Sequence, residues 1–443
     1  MELNLNYEFD FNRCLEHLKK IRPYTLAGRV TQIIGLTIIV QGIKGFVGEV
    51  CKILLNGEES HAVLAEVVGF KGNEVLLMPL GDINGVGPGC KVIPTGKVLT
   101  VQVGDYLLGH VLDGLGRPME GTPACTTAEN YSVERTPPNP LKRERIHRIM
   151  PTGIKAIDGL LTCGEGQRIG IFAGSGVGKS TLMGMISRHC EADINVIALI
   201  GERGREVRDF IEKDLGPEGM KNSIVVCATS DQPALIRLKG AYVAATIAEY
   251  FRDKGKKVMF MMDSVTRFAM ARREVGLAIG EPPATKGYTP SVFAELPKLL
   301  ERSGTSEHGS ITAFYTVLVD GDDMNEPISD AVRGILDGHI VLSRKLAEQN
   351  HFPAIDILKS ISRLAKDIVT EEQDELAGEM RNIMATYEKS ADLIDIGAYA
   401  EGSNPRIDRA IALNDPINRF LRQDIHEKVD MEETLKQMRE ILG

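Results

Sequence analysis

Apolar and polar positions along the 443 residues change period more than once, and each change marks a different kind of element. In residues 1–21, Leu5, Phe9, Leu15 and Leu18 fall roughly on one side among charged neighbours, the spacing of a short amphipathic helix. Residues 22–93 carry short apolar runs (GRVTQIIGLTIIV, VGEVCKILL, HAVLAEVVGF, EVLLMPL) separated by Gly, Asn and Asp turns. Closely spaced short strands of this kind predict a small antiparallel β-barrel. From about 150 onward, apolar runs (RIGIF, NVIALI, SIVVCA, VMFMMD, ITAFYTVLVD, HIVLS) alternate with helical patterns, which predicts a largely parallel sheet covered by helices. After about 365 the strand pattern stops and the chain becomes charged, punctuated by Leu, Ile and Met, and helical. The expected organisation is an α/β protein in four parts: an amphipathic segment 1–21, a β-barrel domain 22–93, an α/β domain 94–365 and a C-terminal helical domain 366–443.

One loop in the α/β region carries chemistry. AGSGVGKST, Ala173 to Thr181, follows the apolar run Ile169 to Phe172 and precedes the helical pattern LMGMISRHC. A Walker A loop needs this strand, loop and helix context, which sets aside a chance Gly-rich turn. Gly174, Gly176 and Gly178 let the backbone wrap closely around a polyphosphate. Lys179 supplies a point charge to the β and γ phosphates, and the Ser180 hydroxyl is placed to ligate Mg²⁺ at the positive end of a helix. With Ser175, Val177 and Thr181 these residues form the expected binding site for ATP.

Two further runs end in acids. VMFMMDSVTRF has the form of a buried strand ending in Asp263. Alone, that aspartate reads first as a simple strand-end cap; downstream of a P-loop it reads as the Walker B acid that holds a water on Mg²⁺. NVIALIGERGREVRDF supplies a second strand end followed by Glu202, Arg203, Arg205 and Glu206. A carboxylate there can polarise an attacking water, with Arg203 and Glu206 organising the surroundings of the metal and the γ-phosphate. Spacing alone leaves an equal alternative, a charge cluster at a helix start stabilised by the dipole.

Charge narrows the partners. The formal net charge is −9, and residues 1–93 hold nine Lys+Arg against ten Asp+Glu, so the barrel lacks the basic groove that would track a nucleic acid. The cluster Lys142, Arg143, Arg145 and Arg148 sits in a Pro-rich stretch and reads as the solvated face of a connector. Seven scattered cysteines without a CxxC pair suit reduced thiols in the cytoplasm. The start has no basic n-region followed by an apolar run, and no span has the apolar length to cross a bilayer, so membrane contact is expected to be peripheral.

The combination of AGSGVGKST, GERGREV, VMFMMDSVTRF and PAIDILKSISR resembles the rotary and secretion ATPases, which include the ATP synthase catalytic subunit. The resemblance runs from about residue 24 to the C-terminus. Within that group, ATSDQPALIRLKGAYVAATIAEYFRDKGKK and the stretch from HGSITAFYTVLVDGDD onward are similar to type III export ATPases, and DILKSISRL and LIDIGAYAEGSNPRIDRAI to the flagellar branch. The resemblance implies a RecA-like P-loop core and ATP hydrolysis. It also implies that Glu202 is the catalytic base, that Asp263 is the Mg-water acid, and that Arg363 is an arginine finger reaching a neighbour's nucleotide. Phe352 matches the aromatic that packs against adenine, and Tyr399 a second aromatic. The same resemblance implies a homohexamer at the inner face of the cytoplasmic membrane, with export-gate components and chaperone/substrate complexes as partners. Residues 1–21, ahead of the resemblance, read as a frayed terminal helix or as a docking segment for a stalk-like regulator, and the Gly/Pro-rich GEPPATKGYTPS as an ordinary flexible loop or a channel-lining one. The alternatives are an injectisome ATPase, a rotary synthase subunit (catalytic or noncatalytic), a Rho-like RNA translocase, and a scaffold that uses ATP only to set its assembly.

Overall fold

The computed structural model describes residues 26–55, 58–121, 128–319, 321 and 323–443, together with Phe11 and Leu15. The rest of the amphipathic segment expected over 1–21 lies outside the described residues. Two compact units divide the chain, one ending at Val98 and one spanning Leu99–Gly443.

The first unit is built on six strands: β1 (Gly28–Ile34), β2 (Thr37–Gln41), β3 (Glu49–Leu55), β4 (Glu58–Lys71), β5 (Glu74–Pro79) and β6 (Lys91–Val98). They close into an antiparallel barrel in the order β1-β2-β5-β4-β3-β6. Residues that alternate along the strands, among them Val30, Ile38, Val40, Ile53, Val67, Leu77 and Val92, fill its core. The last strand continues past residue 93, where the sequence expectation stopped. Pro94 and Gly96 read as strand breakers, yet both lie inside β6 where its pairing with β3 slips between Glu49 and Cys51. Gly96 takes φ 70° there, and its N–H donates to the buried Glu49 Oε1 at 2.6 Å.

In the second unit, β7 (Thr100–Val103) and β9 (Glu129–Ser132) form a two-stranded ribbon. The remaining strands are β8 (Val111–Asp113), β10 (Arg168–Ala173), β11 (Ile194–Ile200), β12 (Ser223–Ala228), β13 (Lys257–Asp263), β14 (Gly304–Thr305), β15 (Ser310–Leu318), β16 (Gly338–Leu342) and β17 (Ile355–Ser362). Their order in one sheet is β17-β16-β10-β15-β13-β11-β12-β8, with β14 paired to β15. Pairing is parallel from β16 through β8; β14 and β17 run antiparallel. Every residue of β11 and β12 is buried, which is why these strands read as unbroken apolar runs.

Three helices, Glu371–Asp395, Pro405–Leu421 and Met431–Leu442, follow the sheet. Their apolar stripes bury Met380, Ile417, Phe420 and Met438 in the same core as Ile157 and Leu160 of the short helix Lys155–Leu160. Gly159 permits this approach, since a Cβ there would stand 2.8 Å from Met438 Sδ. Residues 366–443 therefore share one core with the sheet.

The largest charged side chain in that unit's interior is Arg302. Its guanidinium makes two 2.8 Å bonds to Glu249, one to Thr246 Oγ1 at 2.8 Å and one to the Val133 carbonyl at 2.9 Å. Both charged side chains are essentially inaccessible, at 2% and 1% exposed. Removing the arginine leaves Glu249, among the described residues, with only Arg135 Nε, 3.4 Å from its Oε2, so Arg302→Ala is expected to lose about 3 kcal/mol, and Arg302→Met with Glu249→Leu to recover part of it. Urea denaturation of the three proteins measures both effects; an Arg302→Ala midpoint equal to the parent's would contradict this account.

Candidate active site

Three strand ends converge on one cleft of about 520 Å³. At the carboxyl end of β10, the chain turns through Gly174–Gly178 into the helix Lys179–His189. Gly176 and Gly178 take φ 77° and 90°, left-handed values that a side chain disfavours. A Cβ on Gly178 would also meet the Phe352 ring at 3.5 Å. The first N–H groups of this helix lack intrahelical acceptors and face the cleft with the positive end of the dipole, an anion site by construction.

Lys179 reaches across to the other two strand ends. Its Nζ donates to Asp263 Oδ1 at 2.5 Å and lies 3.7 Å from Glu202 Oε1. Burial opposes the ammonium charge, but the fields of Asp263 and Glu202 outweigh it and hold Lys179 above its usual range. Asp263 ends β13, is 4% exposed, and also accepts the Thr316 hydroxyl of β15 at 2.8 Å. Ser264 then caps the helix Val265–Ala278 by accepting the Arg267 N–H at 3.3 Å.

Glu202 follows β11 through Gly201, whose φ of 73° makes the turn and whose missing side chain admits Arg267 beneath it; a Cβ would stand 2.8 Å from Arg267 Cβ. Burial, joined by the Asp263 carboxylate and a hydrogen bond with Glu206, pushes the Glu202 carboxyl up to about 7, against the opposing pull of Lys179. A carboxyl poised near neutrality in a cleft is suited to accept a proton.

The expected loop residues Gly174, Ser175, Gly176, Gly178, Lys179, Ser180 and Thr181 all line the cleft, as do Glu202, Arg203, Glu206 and Asp263. Val177 is instead buried in the core beneath the loop. Thr181 donates to Asp214, which braces the P-loop helix against the π-helical turn Phe210–Leu215. Arg203 and Glu206 form an exposed pair 3.5 Å apart at the cleft's edge. Ser180 and Asp263 offer hydroxyl and carboxylate oxygens, the hard donors that a small divalent cation takes alongside phosphate oxygens.

Phe352 is 40% exposed with its ring against Gly178. Neither Phe352 nor Tyr399 is among the residues that line this phosphate-end cleft. The Tyr399 hydroxyl donates to Asp408 Oδ1 at 2.8 Å and accepts the Asn404 N–H at 3.2 Å, fastening the turn before helix Pro405–Leu421. Arg363 does not line its own chain's cleft either. It follows β17, is exposed, and donates to the Arg333 carbonyl at 3.1 Å.

Sequence reasoning passed over Arg267. It lines the cleft; its Nη1 contacts Met270 Sδ at 3.9 Å, while its Nε is buried without a hydrogen-bond partner among the described residues. The signal was its place in VTRF, one helical turn beyond Asp263.

Comparison with known proteins follows the same lines. Residues 153–362 match the ATP synthase alpha/beta family nucleotide-binding domain, residues 30–96 that family's beta-barrel domain, and residues 369–440 the T3SS EscN ATPase C-terminal domain. The chain is 56% identical over 430 residues to the flagellum-specific ATP synthase of Bacillus subtilis, covering 97% of this chain and 98% of that one. The assembled ATPase EscN of the enteropathogenic E. coli type III secretion system superposes with a TM-score of 0.89 at 48% identity, over 94% of this chain and 100% of that one. EscN in complex with its central stalk EscO gives 0.87 at 47% identity, with the same coverage.

The raised Glu202 pKa makes a kinetic prediction, with the sign set by the need for an ionised base. As pH falls through about 7 the carboxylate is lost, so kcat/KM for ATP is expected to decline along an acid limb. Glu202→Gln is expected to lower turnover by roughly 10²–10⁴-fold and to remove the limb. Steady-state phosphate release across pH 5.5–9 (about the range a folded protein tolerates) reads both; an unchanged limb in the variant would assign it to another group.

Proposed function

The chain belongs to the ATP synthase alpha/beta family, among its flagellar and type III secretion ATPases, and from that premise we propose that it cleaves MgATP between neighbouring copies of itself to serve flagellar protein export. The observation that carries the reading is the meeting of Lys179, Asp263 and Glu202 at one anion-binding helix start, with Arg267 lining the same cleft.

In this reading the P-loop N–H groups and Lys179 hold the triphosphate, and Phe352 stacks on adenine. Ser180 and Asp263 would hold Mg²⁺, with Glu206 near its outer shell; when bound, the ion neutralises charge on the phosphate oxygens. Glu202 orients a water for in-line attack and takes its proton on the carboxylate. The water oxygen bonds to the γ-phosphorus as the β,γ-anhydride bond breaks, releasing ADP and phosphate. Lys179, Arg267 and Arg203 offset charge on the transferring group, and Arg363 of a neighbouring copy completes the set.

Support for a ring comes from EscN, a relative solved in assembled form, and support for a stalk-like regulator from EscN with its central stalk. Export-gate components and chaperone/substrate complexes are the further partners we assign. The flagellar assignment rests on the higher identity to a flagellum-specific relative. Among the described residues no helix is long and apolar enough to cross a membrane; we place the protein in the cytoplasm, peripherally at the inner face of the cytoplasmic membrane.

A finger supplied in trans has a distinctive signature. Arg363→Ala is expected to keep nucleotide affinity while losing about 10³–10⁵ in kcat. Mixed and reassembled with the separately inactive Lys179→Ala protein, it should regain activity, because roughly a quarter of randomly formed interfaces then pair an intact P-loop with an intact finger. Phosphate release from the mixture tests this, and silence at every mixing ratio would exclude the trans arrangement.

A further inference from the structure

One buried residue joins the C-terminal helices to the 153–155 segment through its side chain and to Phe352 through its backbone. Gln423 lies between helices Pro405–Leu421 and Met431–Leu442 and is 5% exposed. Its Oε1 accepts the Lys155 N–H at 2.9 Å, and its Nε2 donates to the Gly153 carbonyl at 2.7 Å and to the Glu427 carbonyl at 2.9 Å. Both amide donors are thus engaged, and each bond is to backbone. Its own backbone N–H donates to the Phe352 carbonyl at 2.9 Å.

The segment it belongs to is fastened elsewhere as well. Arg188, in the last turn of the P-loop helix, donates to the Ile425 carbonyl at 2.6 Å, and Lys155 Nζ lies 3.2 Å from Glu427 Oε1. Residues 422–427 are therefore tied to the far end of the P-loop helix and, through Gln423, to the carbonyl of the residue whose ring rests on Gly178. The amide locks this segment against Gly153 and Lys155, and so fixes where its N–H presents itself to Phe352.

We infer that Gln423 is a positioning residue for base recognition, acting through Phe352 to hold the ring that stacks on adenine. The inference rests on the nucleotide-binding role proposed above for Phe352. Phosphate binding has a different origin, the 174–181 backbone and Lys179, and none of Gln423's hydrogen bonds goes to that loop. Loss of the amide is expected to weaken recognition of the base and leave recognition of the triphosphate alone.

The test uses the full assembled chain and two ligands, ATP and inorganic tripolyphosphate, which has no base. Gln423→Met keeps the length and removes the polar atoms; Gln423→Glu keeps the shape and the acceptor but loses both donors. Each is expected to raise KM for ATP about tenfold, one lost hydrogen bond's worth of binding, with kcat changed less than about threefold. The inhibition constant of tripolyphosphate should stay at the parent value. In a Phe352→Ala background the same substitutions should add no further rise in KM, since the ring they position is gone. Equal weakening of ATP and tripolyphosphate, or full additivity with Phe352→Ala, would overturn the positioning role while leaving the P-loop reading intact. A parent protein that binds neither ligand would overturn both.

Discussion

An ammonium group lodged between two carboxylates from different strands is the interaction on which the rest of this site depends. Lys179 is largely buried, and charge in such a place persists only with partners; Asp263 and Glu202 supply them. In return the lysine limits how far burial lifts the Glu202 carboxyl. The positions are mutually determined: the helix start aims the lysine, β13 delivers Asp263, β11 delivers Glu202, and Thr316 on β15 fixes the aspartate that the lysine shares. The ammonium thus stands at the anion-binding helix start, held there by carboxylates that the sheet places.

That geometry is a property of the parallel sheet. Because β10, β15, β13 and β11 lie side by side in parallel, their carboxyl ends open on the same side, and residues far apart in sequence come within a few ångströms. The C-terminal helices join the same framework. Phe420 and Met438 pack on the helix Lys155–Leu160, and Gln423 reaches the residue beside the P-loop. Changes at Phe352 thus have a short, hydrogen-bonded route to the helices that follow the sheet, whichever way the coupling is read.

What the sequence discloses about such a protein depends on how local the signal is. The P-loop was legible because strand, turn and helix are contiguous and the glycines occur where left-handed backbone is needed. Asp263 was legible through the apolar run before it, and the barrel through its alternation. Glu202 was ambiguous by spacing, since a charged helix start looks the same whether or not it faces a phosphate. Arg267 passed unmarked because its place in the cleft depends on packing beneath Gly201, which no local pattern announces. Tyr399's local role was not legible either, since its hydroxyl partner Asp408 lies nine residues on, beyond the turn it fastens. Gln423 carried no sequence signal: its partners Gly153, Lys155 and Phe352 are distant in the chain, and nothing in RQDIHEK distinguishes a clamp from a solvated loop.

Calorimetric titration of MgATP into the intact protein and into a Lys179→Ala form addresses the central claim most directly. The account predicts saturable heat of binding for the former and its loss in the latter, with the fold retained by circular dichroism. Equal heats and equal affinities in the two proteins would contradict it, since the cleft described here would then not be where the nucleotide binds.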